Sequence, residues 1–139
     1  MAWLSAAVAA VPGCSGSGKP HVDLMENGVY RPEKVASYAA SGARDGATTH
    51  AVGVFTMADG DHIRVELEVS YNPAPTLNSG HWQRDGHMTG EGSVRVESLK
   101  FLGGQGGTPS VGGRFTLDQE GAPRMRVTMP VQPLERPAP

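Results

Sequence analysis

The chain has 139 residues, a formal charge of −2 and a pI near 6.2, with its 12 Lys and Arg spread along it rather than gathered in a stripe. Such a length supports one hydrophobic core and too little for two, and without a basic stripe nucleic acid is excluded as a partner. The 19 Gly and 11 Pro would suit low-complexity sequence, but they fall between alternating apolar runs and so read as turns of a β protein.

In chain order the first element is a leader. Residues 1–13 carry no charged side chain, and their apolar stretch is far short of the ~20 residues that cross a bilayer, a length that suits a signal-peptide core. The stretch ends in Val11-Pro12-Gly13-Cys14, and Cys14 is the single cysteine of the chain. Ser15-Gly16-Ser17-Gly18-Lys19-Pro20 follows, and Gly/Ser-rich sequence behaves as a flexible tether. An exported chain with one thiol has no internal disulfide to form, so the cysteine needs another use.

The segment resembles the lipobox of bacterial lipoproteins, with an aliphatic residue three places before the cysteine and a small residue directly before it. The resemblance implies that residues 1–13 are a signal peptide, that Cys14 takes the lipid, and that residues 14–20 are anchor and tether. It makes a membrane the first partner and the cell envelope the location. Ser15, where Asp would signal retention, implies the outer membrane with the domain facing the periplasm. Gly13 to Lys19 also mimics a phosphate-binding loop, but Pro20 stands where a hydroxyl should meet Mg²⁺, and no alternation of strand and helix follows.

Residues 21–131 read as one all-β domain, a small antiparallel β-sandwich or barrel of about eight short strands joined by Asp-Gly hairpins. The clearest strand is residues 62–71, with Ile63, Val65, Leu67, Val69 and Tyr71 on one face and Arg64, Glu66 and Glu68 on the other, a half-buried alternation. Asp59-Gly60 ahead of it reads as a two-residue type I′ turn, which sets Thr56 against Ile63, Val54 against Val65 and Val52 against Leu67. Asp45-Gly46 repeats the device, pairing Ala39 with Val52, Ser37 with Val54 and Val35 with Thr56, with Tyr38 covering Gly53 on the other face. A helix over residues 32–40, begun by Pro32, is the competing reading there.

Asp85-Gly86 is the third such turn, and it places His81 opposite Gly90 and His87 opposite Arg84. Apolar parity flips between Val96 and Leu99, which predicts a bulge near Ser98. The last hairpin pairs Leu117 with Met125 and Phe115 with Val127, and sets Asp118 beside Arg124. Residues 132–139 read as an extended Pro-rich tail.

The most site-like residues are His81, Trp82 and His87, as contacts for a ligand or partner. An exposed Trp beside polar groups can stack a sugar ring or a partner's side chain, although a Trp plugging the core is the more common case. Five His and six Met raise a copper or zinc hypothesis resting on His81, His87 and His62 with Met57 or Met88. Zinc needs three or four converging ligands, and the spacing assembles two. Glu66 and Glu68 share a strand face as glycosidase carboxylates might, yet no serine sits in a Gly-x-Ser-x-Gly elbow. No cofactor or catalytic residue is expected. The reading is a non-enzymatic envelope lipoprotein with a protein or glycan partner; a periplasmic metal-binding protein and a small envelope hydrolase are the alternatives.

Overall fold

The computed structural model describes residues 19–71, 74–102, 109–119 and 124–134. Among them run nine strands: β1 (His21–Glu26), β2 (Val29–Glu33), β3 (Val35–Asp45), β4 (Thr48–Met57), β5 (His62–Tyr71), β6 (Pro75–Asp85), β7 (Gly90–Leu102), β8 (Ser110–Asp118) and β9 (Met125–Pro133). The leader, Cys14, residues 15–18 of the tether and the end of the Pro-rich tail lie outside the described residues.

The fold is all-β. One antiparallel sheet holds the strands in the order β2-β1-β9-β8-β7-β6-β5-β4-β3. From β4 to β9 each strand pairs with its predecessor, β2 pairs with β1, and β9 pairs back onto β1. The two strands at the ends of that order, β2 and β3, are separated in the chain by Lys34 alone. The sheet therefore curls until its edges approach, forming a half-barrel. Register shifts at Val35/Ser37, Glu68/Val69, Val96/Ser98 and Val111/Gly113 supply the local bends that curl a sheet. The bulge expected near Ser98 is among them.

Alternation decides what the curled sheet encloses. β5 buries Ile63, Val65, Leu67 and Val69 and turns Arg64 and Glu66 outward, as its sequence demands. Phe55, Trp82, Phe115, Leu117, Val127 and Met129 fill the space it faces. The β4–β5 register, however, corrects the sequence expectation by one residue. Phe55 pairs with Ile63, Gly53 with Val65 and Ala51 with Leu67, so Val52 and Val54 stand on the outer face.

The cause is the turn. Gly60 has φ 98° while Asp59 stays at negative φ. The Gly60 N–H donates to the Met57 carbonyl (2.9 Å), and the Met57 N–H donates to the Asp61 carbonyl (2.8 Å). That is a type I turn closed by a left-handed glycine bulge, one residue longer than a type I′ turn.

At the β3–β4 turn, Gly46 (φ 63°) sits at the first central position and Asp45 pairs with Thr48, the type II′ pattern. Ala39 consequently faces Val54 and Ser37 faces Thr56, two residues away from the expected pairing with the faces preserved. Residues 35–40 are strand rather than helix. Tyr38 does cover Gly53, but on the inner face: a Cβ there would lie 2.7 Å from Tyr38 Oη and from Met129 Cε.

Between β6 and β7 the chain returns through residues 85–89, with Arg84 opposite Gly90 and His81 opposite Ser93. This replaces the two-residue turn expected at Asp85-Gly86. The β8–β9 register is as read, with Leu117 against Met125 and Phe115 against Val127. Asn27 and Gly28, at φ 51° and 80°, make a further hairpin turn between β1 and β2, and β9 runs on to Pro133 with Leu134 buried behind it. One end of the half-barrel thus carries the β1–β2, β4–β5, β6–β7 and β8–β9 turns. Lys34, between β2 and β3, lies at this end too, its carbonyl accepting the Ala58 N–H at 2.9 Å. The other end carries the β3–β4, β5–β6 and β7–β8 connections, and β1 enters from that side.

Candidate functional site

The densest group of buried charge lies at the end that carries the β4–β5 and β6–β7 turns. Its centre is Asp61, the residue after the glycine bulge, and its carboxylate has no solvent exposure. An isolated buried carboxylate is expensive unless fully partnered, and here both oxygens are occupied. Arg84 reaches Oδ2 through Nε (3.1 Å) and Nη2 (3.1 Å). The backbone N–H groups of His87 and Met88 donate to Oδ1 (2.6 Å) and Oδ2 (3.1 Å), and the His87 ring Nδ1 lies 3.0 Å from Oδ1. Asp59 Oδ1 accepts the Asp61 N–H at 3.0 Å.

Arg84 is held by the parity of β6, which points Trp82 and Arg84 inward and His81 outward. Its Nη1 donates to Glu33 Oε1 at 2.9 Å and lies 3.6 Å from Met125 Sδ. The backbone N–H of His87 above all holds Asp61 well below the usual carboxylate range; burial opposes it, and the Met88 N–H, the His87 ring and Arg84 add to it. Burial works against the charge of Arg84 but is outweighed by the hydrogen bonds and charges of Glu33 and Asp61, so its guanidinium is raised above its ordinary value.

The arrangement explains the long β6–β7 loop. Gly86, at φ 120°, passes so close to Asp61 that a Cβ would run into Oδ1. The loop folds over the carboxylate and delivers two N–H groups to it. A carboxylate so thoroughly satisfied is a poor proton acceptor. Its chemistry is that of a latch tying the β4–β5 turn, β6, the β6–β7 loop and β2 together.

The residues singled out from sequence separate in the structure. His87 belongs to the latch: Nδ1 faces Asp61, which leaves Nε2 on the solvent side. His81 is exposed on the outer wall opposite Glu66 and Ser93, beside a shallow groove also lined by His50, Glu68 and Ser79. Trp82 is in the core, the more common of the two placements weighed from sequence, and is not an exposed contact. It is 2% exposed, and its Nε1 donates to the Asp118 carbonyl at 3.0 Å, as a buried indole requires.

Met57 is buried, Met88 is exposed, and His62 faces Asp85 with Nδ1 3.6 Å from Oδ1. The proposed His and Met metal set therefore does not converge. Among the described residues, Asp59, Asp61 and His87 are the one group of at least three His, Cys, Asp or Glu donors lying within 4.8 Å of one another. Glu66 is taken up by Arg64 (2.8 Å), and Glu68 by Ser79 (3.3 Å) and His50 (3.7 Å), so that pair is a solvated wall.

Asp61, Arg84 and Glu33 were not foreseen. The signal lay in Arg84, which shares a strand face with Trp82 and so brings a charge to an apolar side that only a buried acid can satisfy. No family model, no curated protein and no solved structure matches this chain.

Proposed function

We propose that the chain is an exported lipoprotein of the cell envelope, held at a membrane through Cys14, whose β domain is a non-enzymatic module acting through its outer surface. The observation that carries this reading is the unique Cys14, placed directly after an uncharged apolar run and directly before a Gly/Ser-rich tether. Two features of the domain support it. Among the described residues the first strand begins at His21, immediately after the tether. The inside of the half-barrel is occupied by Phe55, Trp82, Phe115 and Met129, which leaves the wall and the ends as surfaces for a protein or glycan. Outer-membrane placement follows from Ser15 and belongs to the same reading.

The metal-handling alternative draws on the proximity of Asp59, Asp61 and His87. Arg84 already neutralises Asp61, so a cation there would have to displace a guanidinium that also bridges to Glu33. The latch is the more economical account.

The reading is tested by expressing the chain with its leader in a bacterial host fed labelled fatty acid. The label should enter the protein, the protein should sediment with membranes, and Cys14→Ala should abolish both. Soluble full-length protein with an intact leader and a free thiol would overturn it.

A further inference from the structure

The two ends of the half-barrel are closed by different chemistry. The end with the β4–β5 and β6–β7 turns is closed by the Asp61, Arg84 and Glu33 network. At the opposite end Tyr71, the last residue of β5, stacks on Phe101 near the end of β7, with ring centroids 5.5 Å apart and planes 15° from parallel. Phe101, Leu77 and Leu99 pack against the core, and Leu102 follows on the other face of β7, opposite Ser110. Tyr71 is 48% exposed and Leu102 61%, so this rim turns an apolar side chain to solvent from each face of the sheet. Among the described residues the other exposed large apolar side chains stand singly: Val29 beside the β1–β2 turn, Met88 in the β6–β7 loop and Val96 on the wall.

We propose that the Tyr71, Phe101 and Leu102 end rests on the surface of the lipid bilayer that holds Cys14. The inference depends on the lipoprotein reading and adds the orientation of the domain. Its first support is reach. His21 pairs with Thr128, and β9 continues from there to Pro133, toward the apolar end. The chain from Cys14 to His21 spans roughly 24 Å at full extension, at about 3.4 Å per residue, while β9 beyond Thr128 covers roughly 17 Å in the same direction. A domain so tethered cannot stand far from the bilayer. β1 runs from the apolar side toward the latch, so a tether that continues its line leads to the apolar end.

The second support is chemistry. A half-exposed tyrosine backed by a phenylalanine, with a leucine exposed on the outer face of the same rim, suits the membrane–water interface, where aromatic side chains concentrate. Burying their exposed area there adds to the hold of the acyl chains. The charged latch then faces away from the lipid.

The test uses the full chain with its leader and native Cys14, carrying one added cysteine at Leu102→Cys or at Asp85→Cys, each labelled with an environment-sensitive fluorophore. The lipidated proteins are reconstituted in phosphatidylethanolamine and phosphatidylglycerol vesicles containing spin-labelled lipid. The probe at position 102 should shift to the blue and be quenched several-fold more than the probe at position 85. Equal quenching, with fatty acid present on Cys14, overturns the orientation and leaves the lipoprotein reading standing. Shielding of position 102 in native envelopes but not in pure vesicles overturns it in favour of a protein partner. Absence of fatty acid on Cys14 overturns both.

Discussion

The register of β4 makes the sharpest test of the fold, because a one-residue slip exchanges every inward and outward side chain. Phe55 has no solvent exposure and lies 4.7 Å from the Tyr38 ring between centroids. Val54 is half-buried on the outer face opposite Arg64. Truncating a buried Phe removes its transfer energy and leaves a cavity, about 3–5 kcal/mol. Truncating Val54 removes β propensity and outer-face contacts, about 1 kcal/mol at most. With a urea m-value of about 1.5 kcal/mol/M, Phe55→Ala should lower the unfolding midpoint by roughly 2–3 M and Val54→Ala by less than about 0.7 M. Urea titrations followed by circular dichroism, with equal m-values as the check on two-state behaviour, measure both. The two-residue turn at Asp59-Gly60 predicts the reverse order, since it turns Val54 inward. A larger loss at Val54, or equal losses, would refute the register and with it the placement of Asp61 at the latch.

Two further outcomes concern the latch. The folded-state pKa of Asp61 is depressed, so the unfolded chain binds the extra proton, and the carboxylate's contribution is present above its unfolded value, about 3.9. That contribution is lost as pH falls through the lower folded value. The stability gap between wild type and Asp61→Asn should therefore be widest near neutrality and narrow in strongly acidic solution; a gap that is flat or grows on acidification counts against the network. Gly86→Ala and Gly28→Ala each place a side chain at positive φ, strain worth about 1–3 kcal/mol. A Cβ at Gly28 meets open space, whereas one at Gly86 runs into Asp61. Gly86→Ala should show the larger drop in Tm, and equal drops would mean that the loop does not press on the carboxylate.

The parts of the fold legible in the sequence are those fixed by neighbouring residues. The alternation of β5, the β8–β9 register with its Asp118 and Arg124 pair (2.9 Å), and the bulge beside Ser98 all rest on local parity and charge. The turns failed for a physical reason. Asp-Gly is equally at home in a two-residue turn, with both residues at positive φ, and in a longer turn where only the glycine is left-handed. Asp59 does not enter the left-handed region; it accepts the Asp61 N–H instead, and Asp61 is fixed by residues far along the chain. At Asp85-Gly86 the demand that the loop cover Asp61 overrides the short-turn preference. The Asn27-Gly28 hairpin did carry a strong local signal, obscured by Pro32 in the returning run.

The latch was hidden because its members are distant in sequence. Arg84 is 23 residues from Asp61 and 51 from Glu33, and nothing local to any of them announces the other two. What one strand does disclose is a conflict. On β6, Trp82 and Arg84 occupy the same face, and a core that takes the first must also receive the second. An uncompensated arginine inside a small domain would cost more than much of its stability margin, so a buried acid must wait for it. Sequence raises His81 and Trp82 as a recognition pair while favouring Trp82 in the core, and a strand cannot present adjacent residues on one side. Once Trp82 is assigned inward, His81 is left on the wall, Arg84 is drawn in, and the turn after β4 must supply the carboxylate. The buried charge then accounts for the closed end of the half-barrel, and at the other end the half-exposed Tyr71 and the exposed Leu102 are the apolar side chains turned to solvent.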